Sequence, residues 1–181
     1  MANALTALRL VLIFPFAILM AGGGGGRAAL ALAIIFLVAI ATDLLDGRVA
    51  RRTNTATTFG GTFDHTTDFL FVMAGLIAGA TRGAFPWVLP AIIATAFAQY
   101  FVDSRWLSRG AGLRGSQLGR YNGILYFAPL GGDILVRLGV WFLQPLVAVA
   151  CWLLVVSTVV SIGQRLSYLR GSRVPDPSSH A

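Results

Sequence analysis

Six apolar segments, each close to the length that crosses a bilayer, constrain the fold of this 181-residue chain more than any other feature. A transmembrane α-helix needs about 20 mostly apolar residues. The segments that qualify, some only with polar ends, are 5–21, 28–48, 60–80, 85–107, 118–135 and 140–166. We therefore predict an all-α membrane protein with six transmembrane helices, forming one domain over residues 1–170. Residues 171–181, with two Pro and three Ser, are predicted to be a disordered tail.

The composition excludes an ordinary soluble domain. Charged residues make up 12% of the chain, against about 25% in soluble proteins, and 56% of residues are hydrophobic. The net charge of +7 comes from 14 Arg and seven Asp. In so apolar a chain this charge indicates loops that face anionic lipid rather than a nucleic-acid partner. Cys151 is alone, which excludes an internal disulfide and predicts a buried thiol.

The arginines predict the orientation. Ten lie around the loop between the second and third segments, around the loop between the fourth and fifth segments, or at the C-terminal end. They are Arg48, Arg51, Arg52, Arg105, Arg109, Arg114, Arg120, Arg165, Arg170 and Arg173. Three lie on the opposite side: Arg27, Arg82 and Arg137. The positive-inside rule then places both termini in the cytoplasm, with the chain a multi-pass protein of the inner membrane. Arg9 lies inside the first segment with no basic region before it, so this segment is expected to remain as a span.

Four of the seven aspartates lie within the ends of the second and third segments, at Asp43, Asp46, Asp64 and Asp68. Ionisable groups at membrane depth are expensive and usually functional. A solvated acidic loop is the competing interpretation, but residues 51–59, the middle of this stretch, contain no Asp.

Helical geometry brings these aspartates onto two faces that we expect to meet. At about 100° per residue, one face of the second segment carries a stripe within roughly 60° of arc, with two residues at its flanks. The stripe consists of Asp43, Gly47 and Ala50, flanked by Asp46 and Arg51. On the third segment the face consists of Gly60, Asp64 and Asp68. The small residues suit either close approach of a substrate or tight helix packing, and both uses stay open.

Four converging carboxylates with no basic residue among them would repel one another, and divalent cations relieve that repulsion. Oxygen ligands favour Mg²⁺ or Mn²⁺ over Zn²⁺. Arg51, one turn from Gly47, is placed to meet a phosphate. His65 points about 100° away from Asp64 and is the weaker candidate. The pattern is typical of metal-assisted phosphoryl transfer on a pyrophosphate.

These residues also form a known pattern. Residues 43–68 read Asp43-x2-Asp46-Gly47-x2-Ala50-Arg51-x8-Gly60-x3-Asp64-x3-Asp68, and the chain opens with Asn3-x2-Thr6-x2-Arg9. The first pattern matches the signature of the CDP-alcohol phosphatidyltransferase family at every defined position, and the second is similar to the family's usual start. The chain therefore resembles this family of six-span membrane enzymes.

The resemblance implies a role for each matching residue. Asp43, Asp46, Asp64 and Asp68 would hold two metal ions, Mg²⁺ or Mn²⁺, and Asp68 would also be the general base. Contacts to the CDP moiety would come from Gly47, Arg51 and Thr57, with Asn3 as a further contact from the first helix. The substrates would be a CDP-diacylglycerol-type lipid and a polar alcohol, and CMP would leave near the cytoplasmic face. The resemblance leaves open whether the protein forms a homodimer.

The acceptor alcohol is open. Arg105, Arg109, Arg114 and Arg120 lie on the side of the catalytic Asp and would suit a phosphorylated acceptor such as glycerol 3-phosphate. Arg120 is the preferred single contact, and arginines that only set topology are the alternative. His65-Thr66-Thr67 departs from the pattern of phosphatidylglycerophosphate synthases. From another class, a membrane carrier or divalent-cation transporter with an acidic path remains the alternative function.

Overall fold

The structure, a computed structural model, describes the backbone of residues 2–52, 58–106 and 117–171 and the side chains of residues 5–45, 63–102 and 121–167. Within these ranges the chain is helical and contains no β-strand, so the prediction of an all-α fold is confirmed. The helices are α1 (Ala2–Ala21), α2 (Arg27–Arg52), α3 (Thr58–Thr81), α4 (Val88–Trp106), α5 (Gln117–Leu125), α6 (Phe127–Arg137) and α7 (Gln144–Gly171). A 3-10 turn, Trp141–Leu143, precedes α7.

Five of the six predicted segments each correspond to one helix, but segment 118–135 is wrong as a single helix. It consists of α5 and α6, which meet at Tyr126. Pro129 explains the break. Proline has no N–H to donate to the carbonyl of Leu125, four residues earlier, and its ring clashes with that carbonyl.

The exterior of the helix bundle is apolar. On α7, Trp152, Leu153, Val156 and Val159 are each at least 50% exposed. Soluble monomers rarely expose contiguous apolar surface of this kind, because water contact with it is unfavourable. By length and composition, Arg27–Leu45 and Trp141–Ser167 could each cross a membrane. These features fit a membrane-associated protein.

α1 packs against both α2 and α3 through aromatic rings and glycines. The Phe16 ring stacks on Phe71 of α3 with centroids 4.3 Å apart, and lies 6.1 Å from Phe36 of α2. A Cβ at Gly75 would lie 2.6 Å from Phe16 Cε1. A Cβ at Gly79 would lie 2.4 Å from Phe85 Cε2. Glycine is therefore needed at position 75 for α1 and α3 to approach this closely, and at position 79 for the Phe85 ring of the α3–α4 connection to pack against α3.

An ionic cluster fixes the C-terminal end of α1. Asp133 of α6 accepts hydrogen bonds from Arg82 Nη2 at 2.7 and 2.8 Å and from Arg137 Nε at 2.9 Å. Arg137 also donates to the carbonyls of Leu19 and Met20, at 2.9 and 2.6 Å. These carbonyls belong to the last turn of α1, which has no helical partners for them. The cluster therefore joins three elements at one end of α1.

Candidate active site

Three aspartates from two helices meet beside the N-terminal half of α1. Asp43 lies in the C-terminal half of α2, and Asp64 and Asp68 lie one turn apart near the start of α3. Each offers one carboxylate oxygen, and these oxygens lie within 4.8 Å of one another. Their side chains are 39%, 31% and 23% exposed, so the cluster is open to ligand. The structure thus brings together three of the four aspartates that helical spacing placed on facing surfaces.

Neighbouring threonines do not compete for this cluster. Thr42 is buried and donates its hydroxyl to the carbonyls of Val38 and Ala39, at 2.9 Å each. Thr67 is also buried and donates to the carbonyl of Phe63 at 2.9 Å. Both hydroxyls are turned back onto their own helices, a common solution for threonine in a helix.

The guanidinium of Arg9 lies among the three carboxylates. It is 1% exposed, with Nη1 3.0 Å from Asp64 Oδ1 and Nη2 3.4 Å from Asp43 Oδ1. Nη1 also donates a hydrogen bond to Asp68 Oδ1. The expectation that the carboxylates converge without a basic residue among them is therefore wrong. A cation from α1, outside the segment that carries the aspartates, lies at their centre.

A signal for Arg9 was present in the sequence. A buried cation in an apolar helix is expensive unless it is paired, so Arg9 required an acidic partner from another helix. Asn3, Thr6 and Arg9 follow one another at three-residue intervals, which places them near one face of α1. Thr6 is buried on that helix, 3% exposed. Only tertiary packing decides which aspartates the guanidinium contacts, and this information is not in the local pattern.

The donor set fits a divalent cation. Three carboxylates and one guanidinium leave the described cluster with a formal charge of −2. Carboxylate oxygen is the ligand type that Mg²⁺ and Mn²⁺ prefer. Asp43, Asp64 and Asp68 are the described residues that would hold such an ion.

Other predicted site residues lie outside the described side chains. The backbone of α2 is helical through the position three residues after Asp43 and beyond, as the prediction requires. The predicted site residues whose side chains lie outside the described ranges are Asn3, Asp46, Gly47, Arg51, Thr57, Gly60, Arg105, Arg109, Arg114 and Arg120. The predicted tail after residue 171 is likewise outside the described residues.

An aromatic group borders the cluster on the α4 side. The His65 ring lies 5.8 Å from Phe97 and 5.3 Å from Tyr100, between ring centroids, so it packs against α4. Arg165 of α7 lies over Tyr100, with Cζ 5.2 Å from the ring centroid. Tyr100 thus lies between His65, which follows Asp64 in the chain, and Arg165, which the sequence analysis placed on the same side of the membrane as the aspartates.

A carboxylate cluster with a buried arginine, formed where apolar helices pack together, defines a class: helical, membrane-associated proteins with a candidate divalent-cation site. Comparison with known families is more specific. The CDP-alcohol phosphatidyltransferase family model matches residues 1–162. The chain belongs to this family, and the assignment made from residues 43–68 is confirmed.

Two curated relatives are similar to part of the chain. Both are described as probable phosphatidylglycerophosphate synthases, from the CDC 1551 / Oshkosh and ATCC 25618 / H37Rv strains of Mycobacterium tuberculosis. Each is 34% identical over 97 residues, which cover 52% of this chain and 46% of the relative. The chain thus spans about half the length of the curated relatives that it matches.

Proposed function

We propose that this protein transfers a phosphatidyl group from a CDP-diacylglycerol-type lipid to the hydroxyl of a polar alcohol, with release of CMP. The observation that carries the proposal is the convergence of Asp43, Asp64 and Asp68 within the region that matches the family. Three carboxylates on two apolar helices suit a substrate with a polar pyrophosphate and lipid tails. The reaction would serve phospholipid biosynthesis.

The carboxylates have two roles in the proposed reaction, metal binding and proton transfer. Asp43, Asp46, Asp64 and Asp68 would hold two Mg²⁺ or Mn²⁺ ions, and such ions would supply positive charge that neutralises the pyrophosphate. Asp68, the least exposed of the three described aspartates, also takes the proton of the acceptor hydroxyl. The acceptor oxygen then forms a bond to the phosphatidyl phosphorus. The bond from that phosphorus to the oxygen of CMP breaks, and CMP leaves with the electron pair.

The CDP moiety binds beside this cluster. Gly47, Arg51 and Thr57, which follow Asp43 in the chain, contact it, and Asn3 adds a contact from α1. Glycine at position 47 lets the nucleotide approach the helix backbone. Arg51 supplies charge-assisted hydrogen bonds to a phosphate.

The membrane arrangement consists of six spans with both termini in the cytoplasm and the site near the cytoplasmic face. The distribution of arginines supports this arrangement. Ten lie in the loops and C-terminal end on the side of the aspartates, and three lie on the opposite side. An excess of arginine is typical of the cytoplasmic side of a membrane protein.

The acceptor is phosphorylated, and glycerol 3-phosphate is our first candidate. The name of the mycobacterial relatives supports this choice. So do the four arginines that the sequence predicts on the side of the aspartates, Arg105, Arg109, Arg114 and Arg120. Guanidinium groups bind phosphate in a bidentate manner that lysine does not reproduce. Arg120→Lys should therefore raise the acceptor KM and leave the KM for the CDP-lipid nearly unchanged.

The test uses purified protein in detergent with CDP-diacylglycerol, Mg²⁺ or Mn²⁺, and one acceptor at a time. The acceptors are glycerol 3-phosphate, inositol phosphate, inositol and serine, and mass spectrometry identifies the lipid product. We expect product with a phosphorylated polyol. Turnover with inositol or serine, and none with either phosphate, would overturn the acceptor assignment. The transporter alternative is not favoured, because the chain belongs to a transferase family. The cluster also lies beside the N-terminal half of α1 instead of along a path through the helices.

A further inference from the structure

We propose that Arg9 is an exchangeable counter-ion of the aspartate cluster, which competes with the divalent cation for the carboxylates and then pairs with the phosphates of the substrate. This inference rests on the proposed function, because it concerns the same site. It assigns a positioning role to a residue of α1, outside the 43–68 motif.

The first step of the argument is the geometry of Arg9. Its guanidinium contacts one carboxylate of α2 and two of α3, namely Asp43, Asp64 and Asp68. These are the same three side chains whose oxygens lie within 4.8 Å of one another. A divalent cation and the guanidinium would therefore bind the same carboxylate oxygens. A lone pair that binds one of them is not available to the other.

The second step is charge. The guanidinium of Arg9 carries a positive charge, so it repels a divalent cation that approaches the same carboxylates. Two like charges within a few ångströms repel strongly where water is partly excluded. Arg9, at 1% exposure, lies in such a place. Cation binding must therefore displace the guanidinium from at least part of the cluster.

The third step is what the displaced guanidinium can pair with. A buried cation left without a counter-charge is strongly destabilising. The pyrophosphate of a CDP-lipid carries negative charge and would lie against the same carboxylate-bound cations. Arginine binds phosphate oxygens in a bidentate manner. Arg9 therefore favours joint binding of the cation and the anionic substrate over binding of the cation alone.

The experiment measures Mn²⁺ binding by electron paramagnetic resonance on the detergent-purified protein without lipid substrate. Arg9→Met should bind Mn²⁺ roughly tenfold more tightly or better, because the competing charge is gone. Arg27→Met is the matched control: the same charge is removed from the exposed start of α2, away from Asp43, and affinity should stay at the parent value. With saturating Mn²⁺ and CDP as the probe, Arg9→Met should bind CDP at least several-fold more weakly.

Equal or weaker Mn²⁺ binding by Arg9→Met would overturn the exchange and leave Arg9 as a structural clamp. Unchanged CDP binding would overturn the phosphate half of the proposal. If Arg9→Met does not fold, Arg9→Gln serves, because it also removes the charge and keeps hydrogen-bond donors for the carboxylates; it should bind Mn²⁺ more tightly than the parent, and equal affinity would contradict the exchange. The proposed function fails separately, through absence of CMP release by the parent protein, whatever the Mn²⁺ titrations give.

Discussion

Arg9 Nη1 of α1 lies 3.0 Å from Asp64 Oδ1 of α3, a contact between residues 55 positions apart. At the C-terminal end of the same helix, Arg137 Nη2 lies 2.6 Å from the carbonyl oxygen of Met20. α1 is therefore held by ionic groups in its N-terminal half and at its C-terminal end, and by Phe16 between them. The first helix, which carries none of the aspartates, thus positions the cluster that the second and third helices supply.

Asp68→Asn should abolish turnover while binding of the CDP-lipid stays largely intact. A carboxamide cannot take the proton of the acceptor hydroxyl, and loss of a general base lowers rates by about 10²–10⁴-fold. CMP release and CDP-lipid binding, measured on the same preparation, test this. Near-parental turnover would remove Asp68 from the role of base.

Asp43→Asn should lose activity through loss of the cation. The change removes a charged oxygen ligand, so Mn²⁺ affinity should fall roughly tenfold or more, and excess Mn²⁺ should restore part of the activity. Asp176→Asn is the matched control, since it makes the same change at an aspartate far along the chain from residues 43–68. It should keep parental Mn²⁺ affinity. A parent enzyme insensitive to EDTA would contradict the metal site as a whole.

Asp133→Ala should destabilise the fold. Asp133 is 7% exposed and pairs with both Arg82 and Arg137. Removing one partner of a buried ion pair costs about 3–5 kcal/mol, because uncompensated charge remains. Denaturation in detergent measures the loss. In an Arg137→Met background the loss should be smaller, and an equal loss in both backgrounds would show that the pairs are not coupled.

Gly79→Leu should destabilise packing between α3 and its neighbours. A Cβ there would lie 2.4 Å from Phe85 Cε2, too close for the ring to remain in place. Overpacking of this kind costs about 1–3 kcal/mol or more. Gly163→Leu is the control, because a Cβ at this helical glycine meets nothing within 4 Å. The thermal midpoint should fall for the first variant only; two equal midpoints would count against close packing at α3.

The shared face of Asp64 and Asp68 could be predicted because it depends on local periodicity. The four-residue spacing of Asp64 and Asp68 places both on one face of any helix, and the apolar segments around them predict helices. Cys151 was predicted to be a buried thiol, and it is fully buried.

The remaining features depend on tertiary contacts or on a signal that was overlooked. Arg9 contacts Asp68 across 59 positions, and no local pattern specifies which carboxylate a buried arginine will meet. The pairing of Asp133 with Arg82 spans 51 positions. The break between α5 and α6, in contrast, followed from Pro129, which was visible in the sequence.

The most direct test of the account is to measure CMP release and lipid product together, using purified protein, CDP-diacylglycerol and glycerol 3-phosphate. We predict equal amounts of CMP and phosphatidyl product, formed only when both a divalent cation and the acceptor are present. CMP formed without acceptor would indicate hydrolysis instead of transfer. Absence of CMP with every acceptor tested, in a preparation that binds Mn²⁺, would contradict the proposed function.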